Sequence, residues 1–187
     1  MKNIILFFLI LISFNSCAQK NKLENFQIVS YDLNSPNSVE INSYSTLDKE
    51  GKLKVFVNGS KGPAYYSYQL KPEDLKQINK LANKNLEEFV QKKQLAENQG
   101  YAGSRNYISF FKKTKKQLCY IEPFMNKEFN EISNLLFDKI YSQQDSAKIS
   151  KFFVDFNNVE KEILKQDKID NYLPQKSLPS SPLMPNK

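Results

Sequence analysis

The stretch Leu53–Leu70, LKVFVNGSKGPAYYSYQL, decides the fold class. Leu53, Val55 and Val57 alternate with Lys54 and Asn58, the period-two pattern of a half-buried strand, and Phe56 lies on the other face. Asn58-Gly59 followed by Ser60-Lys61-Gly62-Pro63 is a turn signal. On the return, Ala64, Tyr66, Tyr68 and Leu70 share one face, and Tyr65, Ser67 and Gln69 the other. Pro72 then suits the first position of a helix, where its missing N–H costs nothing. Glu73 and Asp74 complement the helix dipole, and Leu75, Ile78, Leu81 and Ala82 have helical spacing. The pattern predicts a hairpin and then a helix from Pro72 to about Leu86, with Phe89 and Val90 as its furthest extension.

Upstream, Phe26 to Leu33 is rich in strand formers, Asn34–Ser38 is a turn cluster, and Val39 to Leu47 reads as a second strand. Asp48–Lys52 closes it, with Gly51 supplying a positive φ. Downstream, Gln99–Arg105 is a loop. Tyr107–Phe111 is a strand, Lys112–Lys116 a turn, and Leu118–Ile121 the returning strand. Asn126 to about Ser142 is amphipathic through Phe129, Ile132, Leu135, Leu136 and Ile140. A third helical pattern, Ser146 to Asp167, carries Ile149, Phe152, Phe153, Phe156, Val159 and Ile163. A hairpin followed by an amphipathic helix thus occurs twice, at Leu53–Leu86 and Tyr107–Ser142. The expected fold is α+β: one antiparallel sheet of four to six strands with two or three helices on one face. A β-grasp-like or open-barrel arrangement satisfies the same periodicities.

The chain has 187 residues, one domain's worth, with 27 Lys+Arg against 20 Asp+Glu, a net charge of +7. It has no His, which removes the commonest general base and the commonest zinc ligand together. Its two Cys cannot form a zinc cluster or a disulfide framework, so no metal and no cofactor is expected. The basic charge comes from 26 Lys and a single Arg, Arg105. Lone lysines lack the planar fork that reads bases, so no nucleic-acid partner is expected. An anionic surface such as lipid phosphates fits that charge better.

Met1-Lys2-Asn3 is a short basic segment, and Ile4–Ile12 is an unbroken apolar run of nine residues. That length suits a signal peptide, whereas a spanning helix needs about 20 apolar residues. The run ends at Ser13-Phe14-Asn15-Ser16-Cys17. A small residue before a Cys at this distance resembles the lipobox of bacterial lipoproteins, although Phe14 and Asn15 stand where Leu and a small residue are usual. The resemblance covers about the first 20 residues. It implies cleavage before Cys17, acylation of Cys17, and a membrane anchor outside the cytoplasm. Ala18 after the Cys, in place of Asp, implies the outer membrane of a Gram-negative bacterium. The chain then divides into a signal peptide (1–16), a lipidated tether (17–25), one α+β domain (26–172) and a Pro-rich tail (173–187) with no periodicity.

The remaining chemistry is sparse. Cys119 has no His to pair with, and its strand position reads as core. Ser109 and Lys112 form an S-x-x-K spacing, but on a strand i and i+3 face opposite ways. The close carboxylates Glu73-Asp74, Glu87-Glu88 and Glu160/Glu162 lie on helical stretches. No catalytic set is therefore expected. Tyr65, Tyr66, Tyr68 and Tyr101, joined by Arg105, form the candidate binding surface, because Tyr presents an apolar face with a polar tip. Lys112, Lys113, Lys115 and Lys116 form a candidate contact with an anionic glycan or lipid. These readings point to a lipid-anchored envelope protein acting as a non-catalytic binding module, on an envelope protein or an anionic glycan or lipid. The alternatives are an immunity or inhibitor lipoprotein with one protein partner, and a hydrolase using paired carboxylates.

Overall fold

The computed structural model describes residues 23–35, 37–93, 95 and 101–170. Six strands form one antiparallel sheet: β1 (Glu24–Ser35), β2 (Ser38–Leu47), β3 (Lys52–Gly59), β4 (Gly62–Gln69), β5 (Arg105–Lys112) and β6 (Thr114–Tyr120). Their order is β4-β3-β2-β1-β5-β6. Three helices complete the α+β fold, α1 (Pro72–Ile78), α2 (Lys127–Ile140) and α3 (Phe156–Ile169).

The hairpin Leu53–Leu70 forms as its alternation predicts. Its loop contracts to Ser60-Lys61, because Asn58 pairs with Pro63 and Gly59 with Gly62. Gly62 supplies the positive φ of 93°. Pro63 is tolerated because β4 is an edge strand, where a missing N–H breaks no inner ladder. At the other end of β3, Gly51 has φ 86°, and a Cβ there would stand 3.1 Å from Gln69 Nε2 and 3.3 Å from Leu75 Cδ2. The turn can therefore press against the start of α1 only as glycine.

The helices cover both faces of the sheet, where one covered face was expected. On the first face, α1 and α2 bury Ile78, Phe129, Ile132, Leu136 and Ile140 against Phe26, Ile28, Val55, Ile108, Phe110 and Leu118. On the second face, α3 buries Val159 and Ile163 against Val29, Tyr31, Phe56, Tyr107 and Cys119. The central strands carry apolar residues at consecutive positions, such as Ile28-Val29 and Tyr107-Ile108, so each face exposes apolar surface that one layer of helices cannot cover. A bulge in β2 adds to this. Ser30 pairs with Ser43 but Tyr31 pairs with Ile41, which leaves Asn42 as the extra residue. Val39 and Ile41 therefore join the second face, whereas Leu47, in the same sequence alternation, joins the first.

Several element boundaries differ from the periodic reading. The α-helical part of α1 ends at Ile78, and the chain continues as 3-10 turns at Asn79–Asn83 and Leu86–Phe89. The Lys112–Lys116 turn narrows to Lys113, at φ 64° between the paired Lys112 and Thr114. The third helix starts ten residues later than Ser146, at Phe156 after its Asp155 cap, whose side chain accepts from the Asn158 N–H at 3.1 Å. The segment before it runs extended past the edge strand β4, where the Ile149 N–H donates to the Tyr65 carbonyl at 2.9 Å. This covers an edge otherwise open to pairing with another chain. Phe152 follows and packs edge-on against Tyr65 at 5.2 Å. Leu23 is buried and Glu24 opens β1, so residues 23–25, expected in the tether, belong to the domain. The signal peptide, Cys17 and the 173–187 tail lie outside the described residues.

Ile163 is fully buried beneath α3, whereas Ile169 on the same helix is 69% exposed. Ile163→Ala is expected to lower the unfolding free energy by about 2–5 kcal/mol, and Ile169→Ala by no more than about 0.5 kcal/mol. Urea denaturation of the two variants measures both. Equal losses would show that α3 is not seated through Ile163.

Candidate functional site

The second face of the sheet is organised in rows that run across the strands. One row reads Tyr65, Phe56, Tyr44, Val29, Tyr107 and Cys119 from β4 to β6, by direct cross-strand pairing. It is apolar and mostly aromatic, and α3 crosses it. Phe156 packs at a tilt against Phe56, at 4.8 Å between ring centroids, and meets Tyr44 edge-on at 6.2 Å. The adjacent row reads Ser67, Lys54, Thr46, Gln27, Ser109 and Gln117, again one residue from every strand. Every member is polar. Over its middle the helix is absent, and a groove of about 830 Å³ opens with Lys54, Thr46 and Gln27 on its floor and the buried Ser109 beneath its β5 side. Val159 and Glu162 of α3 form one wall, and the Asp48–Lys52 turn and Phe111 form the rim.

The row composition explains the vacancy. Burying a hydroxyl, amide or ammonium under an apolar helix without a partner costs several kcal/mol per group, whereas burying the aromatic row is favourable. The helix is therefore stable over one row and not over the next. Side chains on the wall are tied in place. Lys115 pairs with Glu162 at 2.7 Å, and the Tyr107 hydroxyl donates to the same carboxylate at 3.2 Å. Burial pushes the Tyr107 phenol up, as it does that of Tyr44, where the Glu162 charge adds to the effect. Lys54, next to Ser67 at the β4 end of the ladder, reaches over the Phe152 ring at 5.9 Å.

The C-terminal half of α3 is fixed by a second set of contacts. Arg105 Nη1 lies 2.8 Å from both carboxylate oxygens of Asp167, and the Tyr31 hydroxyl donates to Asp167 Oδ1 at 2.7 Å. The Cys119 backbone N–H donates to Asp170 Oδ2 at 3.3 Å, and the Gln117 and Gln166 amides meet at 2.6 Å. Burial pushes both the Tyr31 phenol and the Cys119 thiol up, so each keeps its proton at neutral pH. A thiol so held is neither nucleophile nor ligand. Among the described residues, no three His, Cys, Asp or Glu side chains converge to hold a metal ion.

The structure does not assemble the tyrosine surface expected from the sequence. Tyr66 and Tyr68 point into the first-face core and are buried, because residues 64, 66 and 68 alternate toward α2. Tyr65 points the opposite way, sandwiched between Phe56 and Phe152. The Tyr101 hydroxyl donates to the Ser104 carbonyl at 2.9 Å and closes its own loop. Arg105 is spent on Asp167. The lysine cluster is likewise divided by strand alternation. Lys112 reaches the Ala82 carbonyl, Lys116 reaches Asn85 at 3.1 Å, Lys115 turns to α3, and Lys113 alone points into solvent at the tip. Sequence reasoning missed the polar ladder. Its only signal was a polar residue at Gln27 and Ser109 within otherwise apolar strands, and aligning the two required the register.

No family model and no curated protein matches this chain.

Removing Arg105 would leave Asp167 without its cation in a largely enclosed position. The two side chains are 17% and 16% exposed. Arg105→Ala is expected to destabilise the protein by about 3 kcal/mol, seen as a lower urea midpoint at unchanged slope. A midpoint equal to that of the parent would assign α3's position to apolar contact alone.

Proposed function

We propose that this is a lipid-anchored envelope protein that acts without catalysis, as a binding module, and that the polar ladder is where its ligand lies. The ladder is the observation that carries the reading. It offers hydroxyl, amide and ammonium groups at the regular strand spacing of about 4.8 Å, flanked by the Tyr44 and Phe111 rings. That arrangement suits an extended ligand rich in hydroxyl or amide groups, with aromatic edges to cover its apolar faces. The groove brings Lys and carboxylate side chains together, so it selects for hydrogen-bonding shape more than for net charge.

The carboxylates around the groove speak for binding over hydrolysis. Asp48 accepts the backbone N–H groups of Glu50 and Lys52, at 3.0 and 2.8 Å. Asp155 caps α3, Glu162 pairs with Lys115, and Glu50 pairs with Lys49 at 3.7 Å. Only Glu24 among these lining carboxylates is left without such a tie among the described residues. Glycoside hydrolysis needs two converging carboxyl groups. The anchor follows from the resemblance at Ser16-Cys17, and no helix of the described residues is long and apolar enough to cross a membrane.

The test is capture from native membranes by the full-length protein after mild cross-linking, with Thr46→Trp beside the parent. Thr46 is half-buried on the open floor, so an indole there fills the groove and leaves the core alone. The variant should fold with a melting temperature close to that of the parent and lose roughly tenfold of the captured ligand. Undiminished capture by a folded Thr46→Trp protein would remove the ladder as the site. Capture that depends on hydrolysis of the ligand would overturn the non-catalytic reading.

A further inference from the structure

We infer that one end of the sheet is a basic docking face for the phosphate-bearing headgroups of the leaflet that holds the anchor. The inference rests on the reading of Cys17 as lipidated, and it adds an orientation and a partner to it.

The antiparallel topology gathers specific segments at that end. They are the start of β1, the Asp48–Lys52 turn, the Leu70–Asn85 segment containing α1, and the β5–β6 hairpin tip. α1 leaves the end of β4 and runs along this rim, until Lys112 at the hairpin tip meets the Ala82 carbonyl. The chain from Cys17 arrives on the same rim: the Leu23 backbone N–H donates to Asn79 Oδ1 at 2.9 Å, beside Lys76 and Lys80. Six residue steps separate Cys17 from Leu23, a reach of at most about 20 Å. The tether therefore holds this end of the domain, and not the other, against the membrane.

The rim is strongly basic. Its segments carry ten lysines against five acidic residues. Lys52, Lys71, Lys76, Lys80 and Lys113 are exposed and make no ion pair among the described residues. They come from three separate segments. One acidic neighbour, Asp48, is committed to backbone N–H groups of its own turn. The opposite end of the sheet differs. Its turns at 34–38 and 59–62 carry only Lys61, and the nearby Arg105 is neutralised by Asp167. Lys92 and Lys93 also lie there, where the Lys92 N–H donates to the Phe124 carbonyl, and the acidic Glu122 and Asp170 share that end with them. Charge asymmetry and the path of the chain are independent observations, and they select the same end. Each lysine near an anionic leaflet raises the partition roughly fivefold, so five act together strongly even without the lipid. They also add the second signal that a lipid anchor of few chains needs for stable seating.

The experiment uses the purified full-length protein with vesicles of pure phosphatidylcholine, and with vesicles containing about one-third phosphatidylglycerol, at millimolar lipid. Acetylation of individual lysines by a water-soluble reagent is followed by mass spectrometry. In the anionic vesicles, Lys52, Lys71, Lys76, Lys80 and Lys113 should react at least severalfold more slowly than in the neutral ones. Lys61 and Lys148 should keep their rates, and 0.5 M salt should abolish the difference. Equal rates in both vesicles, or slowing spread evenly to Lys61 and Lys148, would overturn the docking face. Flotation with the neutral vesicles reads the anchor separately. A protein that fails to float there disproves the lipid anchor, yet its labelling pattern on anionic vesicles still decides the docking face.

Discussion

The position of α3 on the sheet is the constraint from which the rest follows. Asp167 holds its C-terminal half, because Arg105 and the Tyr31 hydroxyl both donate to one carboxylate. Val159 and Ile163 hold its middle by burial, and Phe156 holds its start on Phe56. With these fixed, the helix covers the aromatic row and leaves the polar row beside it open. The groove is thus a consequence of how the cross-strand rows differ, with the Asp48–Lys52 turn completing its rim. The same helix hides the thiol of Cys119 and engages the chain's single arginine through Asp167.

Much of this fold is legible in the sequence alone. The alternation in Leu53–Leu70 predicts β3 and β4, and the amphipathic stripe from Phe129 to Ile140 predicts α2; the structure adds its Asn126 cap, which accepts from the Phe129 N–H at 3.0 Å. Two-sided burial was also written in the sequence, as consecutive apolar residues at Val55-Phe56-Val57 and Leu118-Cys119-Tyr120. That signal means a strand covered on both faces, and reading the strands as half-buried passes over it. The stretch Ile149–Phe153 has helical spacing but runs extended, because its backbone donates to the β4 edge and Phe153 is left 89% exposed. Tertiary hydrogen bonding outweighs a periodic pattern there.

The candidate site was the least legible part, for a physical reason. The tyrosines are close in sequence, but a strand sends neighbours to opposite faces, so Tyr65 and Tyr66 cannot share a surface. The ladder residues are far apart in sequence and meet only through register. The Asn42 bulge shifts that register, and a one-residue slip turns every side chain to the other face. The basic end shows the same logic. Its lysines lie on separate segments and are brought together by the order of strands, and the 26 lysines of the composition do not by themselves mark an end. With the anchor proposed at Cys17, the basic rim and the groove that opens beside Leu23 and Glu24 would both face the space next to a membrane.

The most direct test of a membrane-side groove is hydroxyl-radical footprinting of the protein in its own envelope, compared with the purified chain. The account predicts that Tyr44 and Phe111 are protected in the envelope, while Phe153 and Tyr141, exposed elsewhere on the domain, react as they do in the purified protein. Protection of Phe153 or Tyr141 with Tyr44 and Phe111 unchanged would contradict it, and would move the binding surface away from the polar ladder.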